Sequence, residues 1–217
     1  MVIICGIDEA GRGPVIGPMV ICGVTIDEKD TYKLKSIGAK DSKLLTKQTR
    51  EILFEQIKKI IKKYKIIIIP PKEIDDALLS EDLNLNWLEA IKMAEIINEL
   101  KPDKVIIDCP SNNDKEFLRY LKKHLKDKST EIIAEHKADV IYPAVSAASI
   151  LAKVTRDREI ENLKKKYKVD FGSGYPSDSI TRDFLEINHD KYDFFRKTWA
   201  PYKQIKSRKK QKKLGEF

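Results

Sequence analysis

The 217-residue sequence predicts an α/β fold in which one mixed sheet is flanked by helices. Short runs rich in Val and Ile recur along the chain, and segments with helical spacing of apolar residues separate most of them. The first two runs are joined too closely for a crossover helix, which favours an antiparallel pair. Because 41% of the residues are hydrophobic, we expect one main domain with one good core.

The first half of the chain predicts three strands and one helix. Residues 2–7 read as a buried strand, and residues 15–26 read as its hairpin partner. Thr46 is placed to cap the helix that follows. The apolar positions assigned to that helix are Leu53, Ile57, Ile60, Ile61 and Tyr64. A third strand is predicted at residues 66–69, and Pro70-Pro71 end it.

The second half continues with helices and buried strands. A long helix is predicted from Leu85, and the strand at residues 105–107 after it ends in Asp108. A helix over residues 117–125 precedes a strand at residues 132–134. Another long helix opens at Pro143, because proline suits the first helical position. The residue singled out just before that helix is Asp139.

Residues 6–14 read Gly-Ile-Asp-Glu-Ala-Gly-Arg-Gly-Pro and form the most distinctive segment of the sequence. Asp8 and Glu9 end the first strand, so they are expected at the rim of the sheet. Gly11 and Gly13 allow the backbone to turn tightly and to approach a ligand, and the Arg12 guanidinium is a planar fork that suits phosphate. A strand end followed by a polar turn is the ordinary alternative for the Asp-Glu pair alone.

Four acidic residues fall at the ends of predicted elements that a mixed sheet can bring to one rim: Asp8, Glu9, Asp108 and Asp139. If they meet, their mutual repulsion requires either protonation or bound cations. Oxygen ligands without His or Cys favour Mg²⁺ or Mn²⁺ over Zn²⁺. Two such ions ~4 Å apart can flank an in-line attack at phosphorus, so the expected reaction is phosphodiester hydrolysis without a covalent enzyme intermediate.

The formal net charge is +8, and the basic excess is concentrated near the C-terminus. The basic residues there are Lys206, Arg208, Lys209, Lys210, Lys212 and Lys213. Such a segment is suited to binding a polyanion, and a solvated tail is the alternative.

The three cysteines are unclustered, which argues against a disulfide framework or a zinc site and favours a reducing cytosol. No apolar run approaches the ~18 residues of a bilayer span, so we expect a cytoplasmic protein without membrane contact.

Residues 6–13, Asp41-Ser42-Lys43, Ile107-Asp108 and residues 147–153 occur in an order that resembles ribonuclease HII in its archaeal form. The resemblance covers nearly the whole chain. It implies a ribonuclease H-like mixed five-stranded sheet in a catalytic domain over residues 1–168, and a helical C-terminal extension with a basic tail over residues 169–217. It also implies endonucleolytic cutting of RNA paired to DNA and of duplex DNA at a single ribonucleotide.

The resemblance further implies roles for individual residues. The catalytic and metal-binding set is Asp8, Glu9, Asp108 and Asp139. The substrate-binding set is Gly11, Arg12, Gly13, Lys43, Ser149, Lys153 and Tyr175. Within it, the glycine-rich loop would contact the ribose 2′-hydroxyl, Tyr175 would stack on the next sugar, and Lys43 and Lys153 would contact phosphates. The ordinary alternatives are a tight turn, a buried tyrosine, solvated lysines and, for Asp139, a helix cap.

Two other classes of protein compete with this interpretation. A related divalent-metal nuclease could use the same carboxylates, but it has no need of the glycine-rich loop beside Tyr175. A non-catalytic module that binds hybrids would keep the basic tail, but the four carboxylates would weaken its affinity for a polyanion. The expected partners are RNA-DNA hybrid and ribonucleotide-containing duplex DNA, bound by a monomer. The sequence leaves open a tether to a replication clamp.

Overall fold

Five strands form one mixed sheet in the computed structural model, which describes residues 1–39 and 45–214. The strands are β1 (Ile3–Ala10), β2 (Met19–Asp27), β3 (Lys63–Ile69), β4 (Lys104–Asp108) and β5 (Glu131–Glu135). Their order is β3-β2-β1-β4-β5. The first three strands are antiparallel neighbours, whereas β4 runs parallel to β1 and β5 parallel to β4. The predicted mixed five-stranded sheet is therefore confirmed.

Helices connect the strands and complete the chain. They are α1 (Thr31–Ser36), α2 (Lys47–Ile60), α3 (Pro71–Leu79), α4 (Leu85–Leu100), α5 (Asp114–Lys123), α6 (Ala138–Ile141), α7 (Pro143–Tyr167), α8 (Ser179–Asn188) and α9 (Ala200–Leu214). The Thr46 side chain accepts a hydrogen bond from the Thr49 N–H, so the predicted cap of α2 is confirmed. In the described part of the chain, no helix has both the length and the apolar character that a bilayer span requires.

Several predicted boundaries were wrong: β1 continues to Ala10, β3 begins at Lys63, and α5 spans Asp114–Lys123. Two further errors have local reasons. The second strand begins at Met19 rather than at residue 15, because the chain turns at Gly17 with a φ of +85°. Ile16 instead forms an isolated bridge with Phe195. Tyr64 was assigned to the helix that is now α2, but that helix ends at Ile60 and Tyr64 lies in β3. The backbone is already extended at Ile61, which explains the early end.

Each face of the sheet has its own apolar core. On one face, β1 and β2 pack against α2 and α7. On the other face, the sheet packs against α3, α4 and α5. At Gly6 the backbones of β1 and α7 approach so closely that a Cβ would lie 2.2 Å from the Ala144 carbonyl carbon. This close crossing places the start of α7 beside the carboxyl end of β1.

The segment after α7 builds a third cluster against the loop that follows β1. Val15 and Ile16 of that loop are buried among aromatic and aliphatic residues of the extension. Those residues are Phe171, Leu185, Phe194, Phe195, Tyr202 and Ile205, with Ile160 of α7 beside them. Residues 14–17 of this loop are therefore buried between the sheet and the C-terminal extension.

Candidate active site

Three of the four predicted carboxylates meet at one rim of the sheet. Asp8 and Asp108 lie near the carboxyl ends of the parallel neighbours β1 and β4, which bring both side chains to the same edge. Asp139 lies in α6, which follows β5. One carboxylate oxygen from each of the three lies within 4.8 Å of the others. Asp8 and Asp139 are buried, and Asp108 is half-buried.

Glu9 lies beside this group of three but is not part of it. Neighbouring side chains on a strand point to opposite faces, so Glu9 and Asp8 diverge. The Glu9 Oε2 atom is buried and has no hydrogen-bond partner among the described residues. Burial raises the pKa of Glu9 well above its usual value, and the charges of Asp8 and Glu89 raise it further. An unsatisfied buried carboxylate oxygen of this kind suits a hard cation.

Hydrogen bonds hold the carboxylates in place. Asp8 accepts a hydrogen bond of 2.7 Å from the Glu9 N–H and another from the Ser149 hydroxyl. Asp108 accepts one of 3.1 Å from the Ala138 N–H. The cap of α7 is Tyr142, so Asp139 does not serve as its N-cap. Asp139 lies within the first turn of α6, and its carbonyl accepts a hydrogen bond from the Ser146 hydroxyl.

The Asp8 carboxylate is difficult to ionise in this setting. Burial raises its pKa from 3.8 to about 7, and the charges of Asp108 and Asp139 act in the same direction. The hydrogen bonds from Ser149 and the Glu9 N–H oppose the shift. The cluster therefore has the donor chemistry of a divalent-cation site, since a bound cation would remove the repulsion that raises the Asp8 pKa.

We expect the metal-free protein to lose stability as the pH rises from about 4 to about 7. In that window Asp8 is protonated when folded and ionised when unfolded, so the folded state binds more protons and a higher pH favours unfolding. The contribution of Asp8 to the free energy of unfolding should fall by roughly 1–3 kcal/mol. Denaturant titrations in EDTA at pH 5 and pH 8 measure this change, and Asp8→Asn isolates the part due to Asp8. Equal pH dependence in both proteins would contradict the assignment.

A cavity of about 250 Å³ connects the carboxylates with the predicted substrate residues. It is lined by Asp8, Glu9, Ala10, Gly11, Arg12, Gly13, Asp108, Ser149, Lys153 and Tyr175. The structure thus gathers the predicted substrate residues that it describes around the carboxylates, with Asp139 buried next to them. Lys43 lies outside the described residues. The Ser149 hydroxyl donates a hydrogen bond to Asp8, and the Nζ atom of Lys153 lies 2.5 Å from Asp157 Oδ1.

The glycine-rich loop has a conformation that its sequence requires. Gly11 has a φ of +83°, and a Cβ there would lie 2.2 Å from the Nε of Arg156. At Gly13 the nearest atom to such a Cβ is Cε1 of Tyr175, at 4.0 Å. The Tyr175 ring in turn lies 5.1 Å from the Arg156 guanidinium carbon. Gly11 is therefore needed for packing against the core, whereas Gly13 keeps the space next to the tyrosine open.

The Arg12 side chain is held by α4 rather than left free for phosphate. Its Nε donates to Glu89 Oε1 at 2.9 Å, and its Nη2 donates to Asn86 Oδ1 at 2.6 Å. Glu89 is fully buried, and burial raises its pKa to about 7 even though Arg12 opposes the shift. The expected phosphate fork is thus largely engaged within the protein.

Sequence reasoning missed Glu89 and Asn86, although a signal for Glu89 exists. Glu89, Met93 and Ile96 recur at positions i, i+4 and i+7 of α4, so an acidic residue occupies an otherwise apolar stripe. A carboxylate at such a position needs a buried partner. The sequence does not identify that partner as Arg12, because 77 residues separate the two.

Comparisons with known proteins show similarity to one family over nearly the entire chain. The family model described as Ribonuclease HII matches residues 5–202. A Ribonuclease HII from Pyrococcus horikoshii is 48% identical over 222 residues, which cover 99% of this chain and 98% of that protein. The matched region includes every described residue of the carboxylate cluster and of the cavity.

Two solved structures of ribonucleases are also similar to this chain. The crystal structure of ribonuclease H2 from Pyrococcus horikoshii OT3 has a TM-score of 0.84 and 46% identity, covering 95% of this chain and 98% of that one. The RNase HII chain in a PCNA:RNase HII complex from Archaeoglobus fulgidus has a TM-score of 0.83 and 39% identity, covering 93% and 96% of the two chains. The described fold is therefore shared with both.

Proposed function

The chain belongs to the ribonuclease HII family and is an endonuclease of the ribonuclease H type that acts on RNA-DNA hybrids, and we propose that it also cuts duplex DNA at a single ribonucleotide. One observation carries the proposal: the carboxylate cluster and the loop over residues 11–13 line the same cavity. A scissile phosphate at the carboxylates would then place a neighbouring ribose against the loop.

The loop can distinguish ribose from deoxyribose through its main chain. Within the described part of the chain, no hydrogen bond uses the N–H of Gly11, Arg12 or Gly13. These three donors therefore remain available at the wall of the cavity, where a 2′-hydroxyl can accept from them. Deoxyribose lacks that oxygen, and a site built around such a hydrogen bond rejects the analogue that cannot make it.

The residues that would hold divalent cations are Asp8, Asp108 and Asp139, and Glu9 would supply a further oxygen from its unsatisfied Oε2. We propose two ions, Mg²⁺ or Mn²⁺, which when bound help to deprotonate a water molecule and stabilise the leaving 3′-oxygen. The Ser149 hydroxyl orients the Asp8 carboxylate, and the Ala138 N–H orients that of Asp108. Tyr175 would stack on the sugar after the ribonucleotide, and Lys153 would contact a phosphate.

The proposed function is tested with three duplexes of one sequence: an RNA-DNA hybrid, a DNA duplex with one ribonucleotide, and an all-DNA duplex. We expect cleavage of the first two in Mg²⁺ or Mn²⁺, no cleavage of the third, and no cleavage in EDTA. Equal cleavage of all three would favour a related nuclease of different specificity. Binding of all three without cleavage in any metal would favour a non-catalytic module.

The basic tail is proposed to strengthen binding without reading sequence or sugar. Lys206 and Arg208 are exposed on α9, just beyond the buried residue Ile205. We expect deletion of residues 206–217 to weaken binding to hybrid and to all-DNA duplex by similar factors. The log-log salt slope should flatten by ~0.9 for each phosphate contact that is lost. Binding isotherms at several salt concentrations measure the slope, and an unchanged slope would show that the tail makes no phosphate contacts.

We also propose a contact with PCNA, because the Archaeoglobus fulgidus relative was solved in a PCNA:RNase HII complex. The proposal is tested by measuring binding of the purified chain to PCNA from its own source.

We propose on separate grounds that the protein works in a reducing compartment, the cytoplasm. Cys5, Cys22 and Cys109 are buried free thiols, as is usual where disulfides do not form.

A further inference from the structure

Arg196 lies between α8 and α9 and is fully buried against the glycine-rich loop. All three of its side-chain nitrogens donate to main-chain carbonyls. Nη2 donates to Gly11 O at 2.6 Å, Nη1 to Arg12 O at 2.8 Å, and Nε to Gly17 O at 3.0 Å. The Arg196 guanidinium therefore binds both ends of the segment from residue 11 to residue 17.

Trp199 completes the same set of contacts. Its Nε1 donates to Gly13 O at 3.1 Å, and its ring lies 4.8 Å from the Arg196 guanidinium carbon. The carbonyls of Gly11, Arg12 and Gly13 are thus all bound by two side chains of the C-terminal extension. Neither side chain lines the cavity that contains the carboxylates.

The segment carrying these two side chains is itself fixed to the sheet domain. The Arg196 N–H donates to Val15 O at 2.8 Å. The buried carboxylate of Asp75, on α3, accepts hydrogen bonds from the N–H groups of Lys197 and Thr198 and from the Thr198 hydroxyl, at 2.6–2.9 Å. The Arg196 and Trp199 side chains therefore start from a rigid backbone.

Burying a guanidinium against neutral carbonyls is costly. Burial, together with the nearby charge of Arg156, lowers the pKa of Arg196 to about 9. An apolar side chain would pack at lower cost, but it would leave three carbonyls without donors. Lysine offers one nitrogen in place of a rigid fork, so it cannot bind the three carbonyls in the same way.

A peptide unit connects these carbonyls to the free amides of the loop. The C=O of one residue and the N–H of the next belong to one planar trans unit and point in opposite directions. A hydrogen bond to Gly11 O therefore fixes the direction of the Arg12 N–H, and one to Arg12 O fixes that of the Gly13 N–H. Both amides are free of partners within the described chain.

We propose that Arg196 is a positioning residue that holds the Gly11 and Arg12 carbonyls so that the N–H groups of Arg12 and Gly13 present a fixed donor pair to a ribose 2′-hydroxyl. Trp199 supports this arrangement only indirectly, because Gly13 O shares its peptide unit with Pro14, which has no N–H. The inference rests on the proposed function, in which this loop recognises the ribonucleotide. It assigns the selectivity for ribose partly to two side chains of the C-terminal extension that do not line the cavity.

The test measures selectivity in binding. The dissociation constants for two duplexes that differ by one 2′-hydroxyl are compared in Ca²⁺ for the unsubstituted protein, Trp199→Phe and Arg196→Lys. Arg196→Lys replaces the fork that binds Gly11 O and Arg12 O, and we expect the ratio of the two constants to fall roughly fivefold or more. Trp199→Phe keeps an aromatic ring and removes only the hydrogen bond to Gly13 O, which orients no amide, so we expect a smaller fall.

Trp87→Phe is the matched control, because Trp87 stacks on Tyr120, with ring centroids 4.2 Å apart, and is not part of the loop's contacts. In Trp87→Phe, the ratio of the dissociation constants for the two duplexes should equal the ratio in the unsubstituted protein. A purely structural role would lower the melting temperature and weaken both duplexes equally. An unchanged ratio in Arg196→Lys, or in Arg196→Gln if the lysine variant does not fold, would overturn the proposal. If the unsubstituted protein itself shows no preference for the ribonucleotide, the proposed function fails instead.

Discussion

Asp108→Asn is expected to lower the rate of cleavage by roughly 10³-fold or more in Mg²⁺ while leaving substrate affinity within about threefold. The change removes one negative charge from a cluster of three carboxylates but barely alters the shape of the side chain. The Ala138 N–H can still donate to the amide oxygen of the substituted side chain, so the turn into α6 should persist. Single-turnover cleavage of an RNA-DNA hybrid measures the rate, and fluorescence anisotropy measures the affinity.

The matched control is Asp183→Asn, which changes an exposed aspartate on α8. It removes the same charge at a site away from the carboxylate rim, so both rate and affinity should stay unchanged. Wild-type turnover in Asp108→Asn would contradict the metal-binding role. A loss of equal size in Asp183→Asn would show that net charge, rather than the cluster, sets the rate.

Tyr175→Ala is expected to reduce kcat/KM more on a duplex with one ribonucleotide than on an RNA-DNA hybrid. Loss of a stacking contact is worth ~1–3 kcal/mol, which is roughly 5- to 150-fold. A lone ribonucleotide offers one 2′-hydroxyl to fix the register, whereas a continuous RNA strand offers alternative registers. The Tyr175 ring lies next to Gly13 and against Arg156. Steady-state kinetics on both substrates give the two ratios.

Tyr175→Phe keeps the ring and removes only the hydroxyl, so it should retain most of the preference for the single ribonucleotide. The dependence of the rate on Mg²⁺ should be unchanged in both variants, because Tyr175 is not one of the clustered carboxylates. Equal losses on the two substrates in Tyr175→Ala would show that the tyrosine has a purely structural role.

The carboxylate rim was the part of the site most accessible from the sequence. Asp8 and Asp108 follow buried apolar runs, and neighbouring parallel strands bring their carboxyl ends to one edge. Asp139 was expected just before the long helix, but no sequence pattern indicated the short α6 that carries it. Four residues with one buried face are too few for a periodic signal.

The contacts that shape the loop could not be predicted, because they join distant parts of the chain. Arg12 binds Glu89 across 77 residues, and Arg196 binds Gly11 across 185 residues. Local propensity and periodicity carry no information on such pairs. The same limit explains the second strand: Val15 reads as strand from its composition, yet it is buried against the C-terminal extension, which competes with the sheet for that segment.

The chemical ends left beside a lone ribonucleotide test the proposed reaction most directly. Attack by water with departure of the 3′-oxygen leaves a 3′-hydroxyl on one product and a 5′-phosphate on the other. Attack by the 2′-hydroxyl would instead leave a 2′,3′-cyclic phosphate and a 5′-hydroxyl. In Mg²⁺ we expect 3′-hydroxyl and 5′-phosphate ends from the ribonucleotide-containing duplex and no product from its all-DNA counterpart. Cyclic phosphate ends, or equal cleavage of both duplexes, would contradict the proposal.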